Sequence, residues 1–211
     1  DEQLKKCGVD YFDYYLLHNI KKDNYETAKK FDCFSFVAKM KEAGKETYIE
    51  VVTYTEEGCL EGAKLAYECG FDYLTGALPF DSVFEYAKEH NLKYSPFCGK
   101  VGGSPVELTG SIDEIVSSAK ECIEKGADGV DLTAYRYADG DPIELTKAIV
   151  DAIGADKVCI AGSIGNEERM NQMKDAGVAE YTMGSALFNA NFVEGGTFRE
   201  NLEYVLNYLS K

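Results

Sequence analysis

One pattern dominates this chain: a glycine, a short apolar run and an amphipathic segment, repeated from end to end. The phrase recurs as Gly8-Val9-Asp10, Gly70-Phe71-Asp72, Gly126-Ala127-Asp128 and Gly177-Val178-Ala179. β-rich runs occupy 11–18, 47–54, 72–78, 93–98, 129–135, 157–161 and 180–184. A strand–helix unit repeated every 20 to 35 residues or so needs crossover connections, which makes the sheet parallel and covers it with helices.

The helix boundaries are equally regular. Thr55 precedes Glu56-Glu57, and Asp81 precedes a helix over 83–90. Ser111 with Glu114 and Thr197 with Glu200 have capping-box spacing, and Asp141-Pro142 places proline at a first helical position. Glycine ends the helices at Gly44, Gly70, Gly126 and Gly177, where a left-handed residue stops the turn.

These signals predict one α/β domain over residues 1–211, a TIM (β/α)8-type barrel with parallel strands and outer helices. A barrel fits better than an open doubly wound sheet, because no N-terminal GxGxxG turn is present. Seven strands can be read. Either an eighth is hidden or the barrel is incomplete, and an open edge would favour a homo-oligomer.

Two strand ends near the carboxyl terminus have the composition of an anion grip. Ala161-Gly162-Ser163-Ile164-Gly165 follows Val158-Cys159-Ile160, and Met183-Gly184-Ser185 follows Tyr181-Thr182. Glycine lets the backbone approach a ligand, serine adds a hydroxyl, and a following helix presents its positive end. In (β/α)8 barrels the loops after strands seven and eight hold phosphate. Gly162, Ser163, Gly184 and Ser185 are therefore the expected phosphate-binding residues, with tight turns as the alternative. The partner would be a small phosphorylated ligand or inorganic phosphate.

Barrel chemistry sits at the carboxyl ends of the strands. Glu50, set between Ile49 and Val51, is either a site residue or half of an interior ion pair. Lys100 follows Phe97-Cys98-Gly99. It is a Schiff-base lysine, an anion partner or an exposed loop lysine. Asp131, in mid-strand, reads as a general base or as the partner of Lys100. Arg136 suits an anion or a helix-facing salt bridge, and Gly102-Gly103-Ser104-Pro105 reads as a mobile loop.

The formal net charge of −15 argues against a nucleic-acid partner, which needs clustered cations. No apolar run approaches a membrane span, and no signal segment is read at the start. Seven cysteines without metal spacing predict reduced thiols and a cytoplasmic setting. No cofactor and no metal are expected.

Two stretches resemble known barrels. Residues 1–45, with Asp10-Tyr11-Phe12-Asp13-Tyr14-Tyr15-Leu16-Leu17-His18 and the segment 36–45, resemble one βα unit of an aldo/keto reductase, and His18 falls at that family's active-site histidine. The reductase's other catalytic residues and its nicotinamide segment have no counterpart. Residues 46–211 resemble a phosphate-binding (β/α)8 barrel of an uncharacterised bacterial group. The resemblance rests on Tyr48-Ile49-Glu50-Val51-Val52, on 93–101, on 129–137 and on the two glycine-serine ends. Together they imply a chimera, natural or engineered, joined near Lys45-Glu46. The leading expectation is a lyase or isomerase of a small phosphorylated carbonyl metabolite, with Lys100, Asp131 and Glu50 as its chemical groups. The alternatives are a barrel scaffold that binds phosphate without catalysis, and a reductase.

Overall fold

A computed structural model describes residues 16–17, 25–30 and 32–210. Its strands are β1 (Leu16–Leu17), β2 (Tyr48–Glu50), β3 (Tyr73–Thr75), β4 (Lys93–Ser95), β5 (Lys100–Gly102), β6 (Glu107–Thr109), β7 (Val130–Leu132), β8 (Val158–Ile160) and β9 (Glu180–Tyr181). Each of the seven expected runs contains one strand. The runs overshoot because the same apolar residues continue into the loops, where Val51 and Phe97 are still buried.

β1 to β4 pair in parallel in chain order, with Leu17 opposite Ile49, Ile49 opposite Leu74 and Leu74 opposite Tyr94. β7, β8 and β9 form a second parallel set. The two sets meet at Phe97 and Asp131. There the Asp131 amide donates to the Pro96 carbonyl at 2.8 Å, and the Asp128 amide donates to the Tyr94 carbonyl at 2.9 Å. Seven parallel strands thus follow one another like staves. Among the described residues no backbone hydrogen bond joins β9 to β1, so the sheet is not closed into a barrel.

Strand alternation divides the residues into two layers. Ile49, Leu74, Tyr94, Val130, Leu132, Val158 and Ile160 turn outward into the core beneath the helices. Burying each aliphatic one contributes about 1.5–3 kcal/mol. The opposite residues, among them Glu50, Thr75, Ser95, Asp131 and Cys159, lie on the other face of the strands.

The helices start where their caps dictate. Thr55 Oγ1 accepts from the Gly58 amide, and both capping boxes, Ser111/Glu114 and Thr197/Glu200, are formed. Asp141 caps the Pro142–Ile153 helix through the amides of Ile143 and Glu144. Gly44, Gly70, Gly126 and Gly177 all have positive φ at helix ends. Asp81 lies inside its helix's first turn, where its charge favours the positive end; the cap position is Phe80.

One element departs from expectation. The segment read as a mobile loop at 102–105 is the tip of an antiparallel hairpin, with β5 and β6 paired through Val101 and Leu108. Leu108 is fully buried, and that anchors the hairpin to the core.

His18 and most of the reductase-like stretch lie outside the described residues. Across the supposed join near Lys45, β1 and β2 pair as direct neighbours. Cys59, Cys69, Cys98, Cys122 and Cys159 are free thiols. No helix among the described residues is long and apolar enough to cross a membrane.

Candidate active site at the carboxyl ends of the strands

Acids gather on the face of the strands turned away from the helices. Asp131 on β7 pairs in register with Cys159 on β8, which pairs with Glu180 on β9. Asp131 is 5% exposed and has no hydrogen-bond or ion-pair partner for its carboxyl among the described residues. Burial, and secondly the charge of Glu50, push its carboxyl well above the usual carboxylate range. Burial also raises the Cys159 thiol, with Asp131, Glu180 and Glu50 adding to the effect. Glu50, Asp131, Cys159 and Glu180 therefore share one compartment.

Gly76 makes room for this row. Its φ is +76°, and a Cβ there would lie 2.9 Å from the Glu50 Cγ and 3.3 Å from the Phe97 ring. Thr133, two residues beyond Asp131, is 3% exposed, and its hydroxyl has no hydrogen-bond partner among the described residues. Buried hydroxyls are nearly always bonded, so this one is an unmet donor and acceptor.

Cationic groups stand at the rim. From Thr133 a 3-10 turn, Ala134–Arg136, carries Arg136 across the end of β7, its amide bonded to the Thr133 carbonyl at 2.9 Å. Arg136 Nε donates to the Ser163 hydroxyl at 3.4 Å. No carboxylate pairs with Arg136 among the described residues, although the chain carries 37 acids. Arg169 donates to the Ser163 carbonyl and lies 4.3 Å over the Tyr135 ring. The Tyr54 hydroxyl donates to the Gly103 carbonyl at 2.7 Å, so the hairpin tip is tied to β2's exit. Burial raises the Tyr54 phenol and the nearby Arg136 charge opposes that rise, which places the guanidinium beside the tied tip.

The glycine-serine ends are built differently from the expectation in one respect. The Gly162 amide is already taken: it donates to Thr182 Oγ1 at 2.9 Å and to the Ile160 carbonyl at 3.2 Å. Gly162 instead supplies a left-handed φ of +71°, which favours glycine; the Arg136 guanidinium lies 4.0 Å from where a Cβ would stand. Ser163 takes the left-handed φ of +64°, uncommon for a residue with a side chain. Its amide, with those of Gly184 and Ser185, has no acceptor among the described residues. Gly184 and Ser185 open the one-turn helix Ser185–Phe188 and are exposed.

Lys100 stands apart. It is the exposed first residue of β5, and its charge acts on Glu114, whose carboxyl is lowered chiefly by the Ser111 backbone and hydroxyl bonds. The expected Lys100–Asp131 pair is not formed; the charge beside Asp131 is that of Glu50. The cause is the hairpin, which begins at Lys100 and turns the chain away from the bore. Thr133 and Glu180 escaped the sequence reading, although alternation from Asp131 and the position opposite Cys159 could have found them.

A pocket of about 390 Å³ opens at the other end of the strands, among Lys41, Glu46, Tyr67, Asp72, His90 and Lys93. Its charges are largely paired, Lys41 with Asp72 at 2.8 Å and Lys93 with Glu46 at 3.1 Å.

No family model and no curated protein matches this chain. Solved structures do resemble it. Orotidine 5'-phosphate decarboxylase from Pyrococcus horikoshii OT3 superposes with a TM-score of 0.66 at 13% identity, over 99% of this chain and 92% of that one. Native KDPGal gives 0.58 at 14% identity, over 93% and 95%. The BexX/CysO complex of Amycolatopsis orientalis gives 0.55 at 15% identity, over 98% and 84%. At such identities the likeness is one of fold: an α/β chain of parallel strands, similar to structures of the TIM-barrel type.

Proposed function

We propose that this chain is a phosphate-binding barrel enzyme, a lyase or isomerase of a small phosphorylated carbonyl metabolite. One observation carries the reading: β7 and its 3-10 turn hold an arginine with no carboxylate partner among the described residues and, five residues earlier, a buried carboxyl that favours its proton. Arg136, the Ser163 hydroxyl and the free amides of Ser163, Gly184 and Ser185 form a grip for a phosphate, which local donors can hold against a net charge of −15. The fold neighbours include a decarboxylase named for a phosphorylated substrate, orotidine 5'-phosphate.

Below the grip, Asp131 and Glu50 divide the proton work. Two carboxyls in one compartment do not both ionise readily, so the buried one keeps its proton. Asp131 donates that proton to the carbonyl oxygen as Glu50 removes one from the neighbouring carbon, which gives an enediol. Reversal at the adjacent carbon completes an isomerisation with no net proton change. A Schiff base on Lys100 has no place in this scheme, since Lys100 lies on the hairpin. The reductase reading rests on residues mostly outside those described, and no observation favours it.

The test is proton exchange in D2O with a panel of aldose and ketose phosphates, followed by NMR. Deuterium should enter the carbon next to the carbonyl, and Asp131→Asn should slow entry about a hundredfold or more. Phosphate binding with no exchange across the whole panel would leave a binding scaffold and overturn the enzymatic reading.

A further inference from the structure

Two of the three arginines in this chain meet on one residue. Arg136 Nε donates to the Ser163 hydroxyl at 3.4 Å, and Arg169 Nη1 donates to the Ser163 carbonyl. Both arginines are half-buried, yet neither pairs with a carboxylate among the described residues. The remaining side-chain N–H groups of both have no acceptor there either. Acids are at hand: Glu167 accepts from the Tyr204 hydroxyl, and Glu168, whose charge reaches Tyr135, pairs with neither arginine. Like charges brought together without a counter-charge repel, and a bound anion removes that cost.

Arg169 is held in this place. Its guanidinium lies 4.3 Å over the Tyr135 ring, and the Tyr135 hydroxyl donates to Gln172 Oε1 at 2.8 Å. It belongs to the first turn of the helix Glu167–Asp175, the end at which the helix dipole disfavours a cation. The second glycine-serine end packs against the same loop. The Gly165 carbonyl accepts from Asn191 Nδ2 at 3.2 Å, and a Cβ on Gly165 would lie 3.5 Å from the Ala186 Cβ.

We infer that Arg136 and Arg169 form a clamp for a doubly charged phosphate monoester, and that Arg169 sets the preference for two charges over one; this rests on the proposed phosphate grip. A guanidinium bonds a tetrahedral oxyanion through paired N–H groups, and two of them match a dianion in charge. The net charge of −15 opposes a dianion more than a monoanion, so a preference for the dianion must come from local cations.

Methyl phosphate and methyl sulfate are the probes, tetrahedral esters of like size that carry two charges and one at about pH 8. By calorimetric titration methyl phosphate should bind about tenfold or more tightly than methyl sulfate. Below about pH 6, where the phosphate ester takes up a proton, the gap should close. Arg169→Gln should narrow the ratio at least about threefold, chiefly by weakening methyl phosphate, while Arg169→Lys, which keeps the charge, should retain most of it. Equal binding of the two esters at the higher pH would overturn the clamp and leave the grip standing. A ratio unmoved by Arg169→Gln, or lowered as far by Arg169→Lys, would overturn the role of the Arg169 charge. No binding of methyl phosphate at either pH would remove the grip and the clamp together.

Discussion

Two aspartates, Asp72 at the entry to β3 and Asp131 in the middle of β7, have opposite surroundings in this molecule. Asp72 enters β3 and is fully engaged: it accepts from the Thr47 amide at 2.9 Å and hydroxyl at 2.8 Å, and pairs with Lys41 at 2.8 Å. Burial would raise its carboxyl, but the Lys41 and Thr47 bonds outweigh that and hold it below the usual value. Asp131 is more deeply buried, accepts no such bonds, and is pushed the other way by burial and Glu50. The same residue type is held toward its charged form by its partners in one place and pushed toward its neutral form by burial in the other. The surroundings continue the contrast. At the amino end Tyr48 stacks on Tyr73 at 4.4 Å and Lys93 sits 4.3 Å over Tyr73, a closed set of partners. Around β7 and its 3-10 turn, Arg136, Asp131 and Thr133 are left without a full set of partners among the described residues.

The sharpest way to break the comparison is Asp131→Asn. Loss of the proton donor should lower turnover about a hundred- to ten-thousandfold in the exchange assay. Next comes Arg136→Ala, which should weaken inorganic phosphate about ten- to a hundredfold, the range for a hydrogen bond to a charged group, with little change in melting temperature.

Stability should respond with opposite signs at the two aspartates. A raised Asp131 binds its proton more tightly folded than unfolded, so its contribution is present below the ordinary carboxylate range. It is lost as pH rises from there toward the raised value. Asp131→Asn should therefore stabilise the protein by about 1 kcal/mol or more near neutral pH, with the gain shrinking in acid. A lowered Asp72 contributes above the ordinary carboxylate range and loses that contribution as pH falls through its folded value. Asp72→Asn should cost about 1 kcal/mol at neutral pH, modest because Lys41 is partly exposed, and less in acid. Thermal melts across a pH series give both slopes, and parallel slopes would erase the distinction. Lys100→Ala is the smallest: it should change phosphate affinity and turnover by less than about twofold, since the side chain meets only an exposed acid.

Much of the fold was legible because local chemistry repeats. Glycine at positive φ, the Ser111 and Thr197 boxes and the Asp141-Pro142 start each act within a few residues, and all are where the sequence puts them. Register is not local. The hairpin at 100–109 was missed because its pairing depends on Leu108 finding the core, and that error carried Lys100 into the site. Asp131 and Glu50 could be singled out as acids flanked by apolar residues. That the charge of one acts on the other follows from tertiary packing. The glycine-serine ends were found by composition, but the capture of the Gly162 amide by Thr182 needed a residue twenty positions away.

The most direct test of the central claim is amide chemical-shift mapping during titration with inorganic phosphate. Saturable shifts at Ser163, Gly184 and Ser185, lost in Arg136→Ala, are the predicted result. Unmoved amides at those three positions, with shifts confined to the lysine-lined end near Asp72, would contradict it.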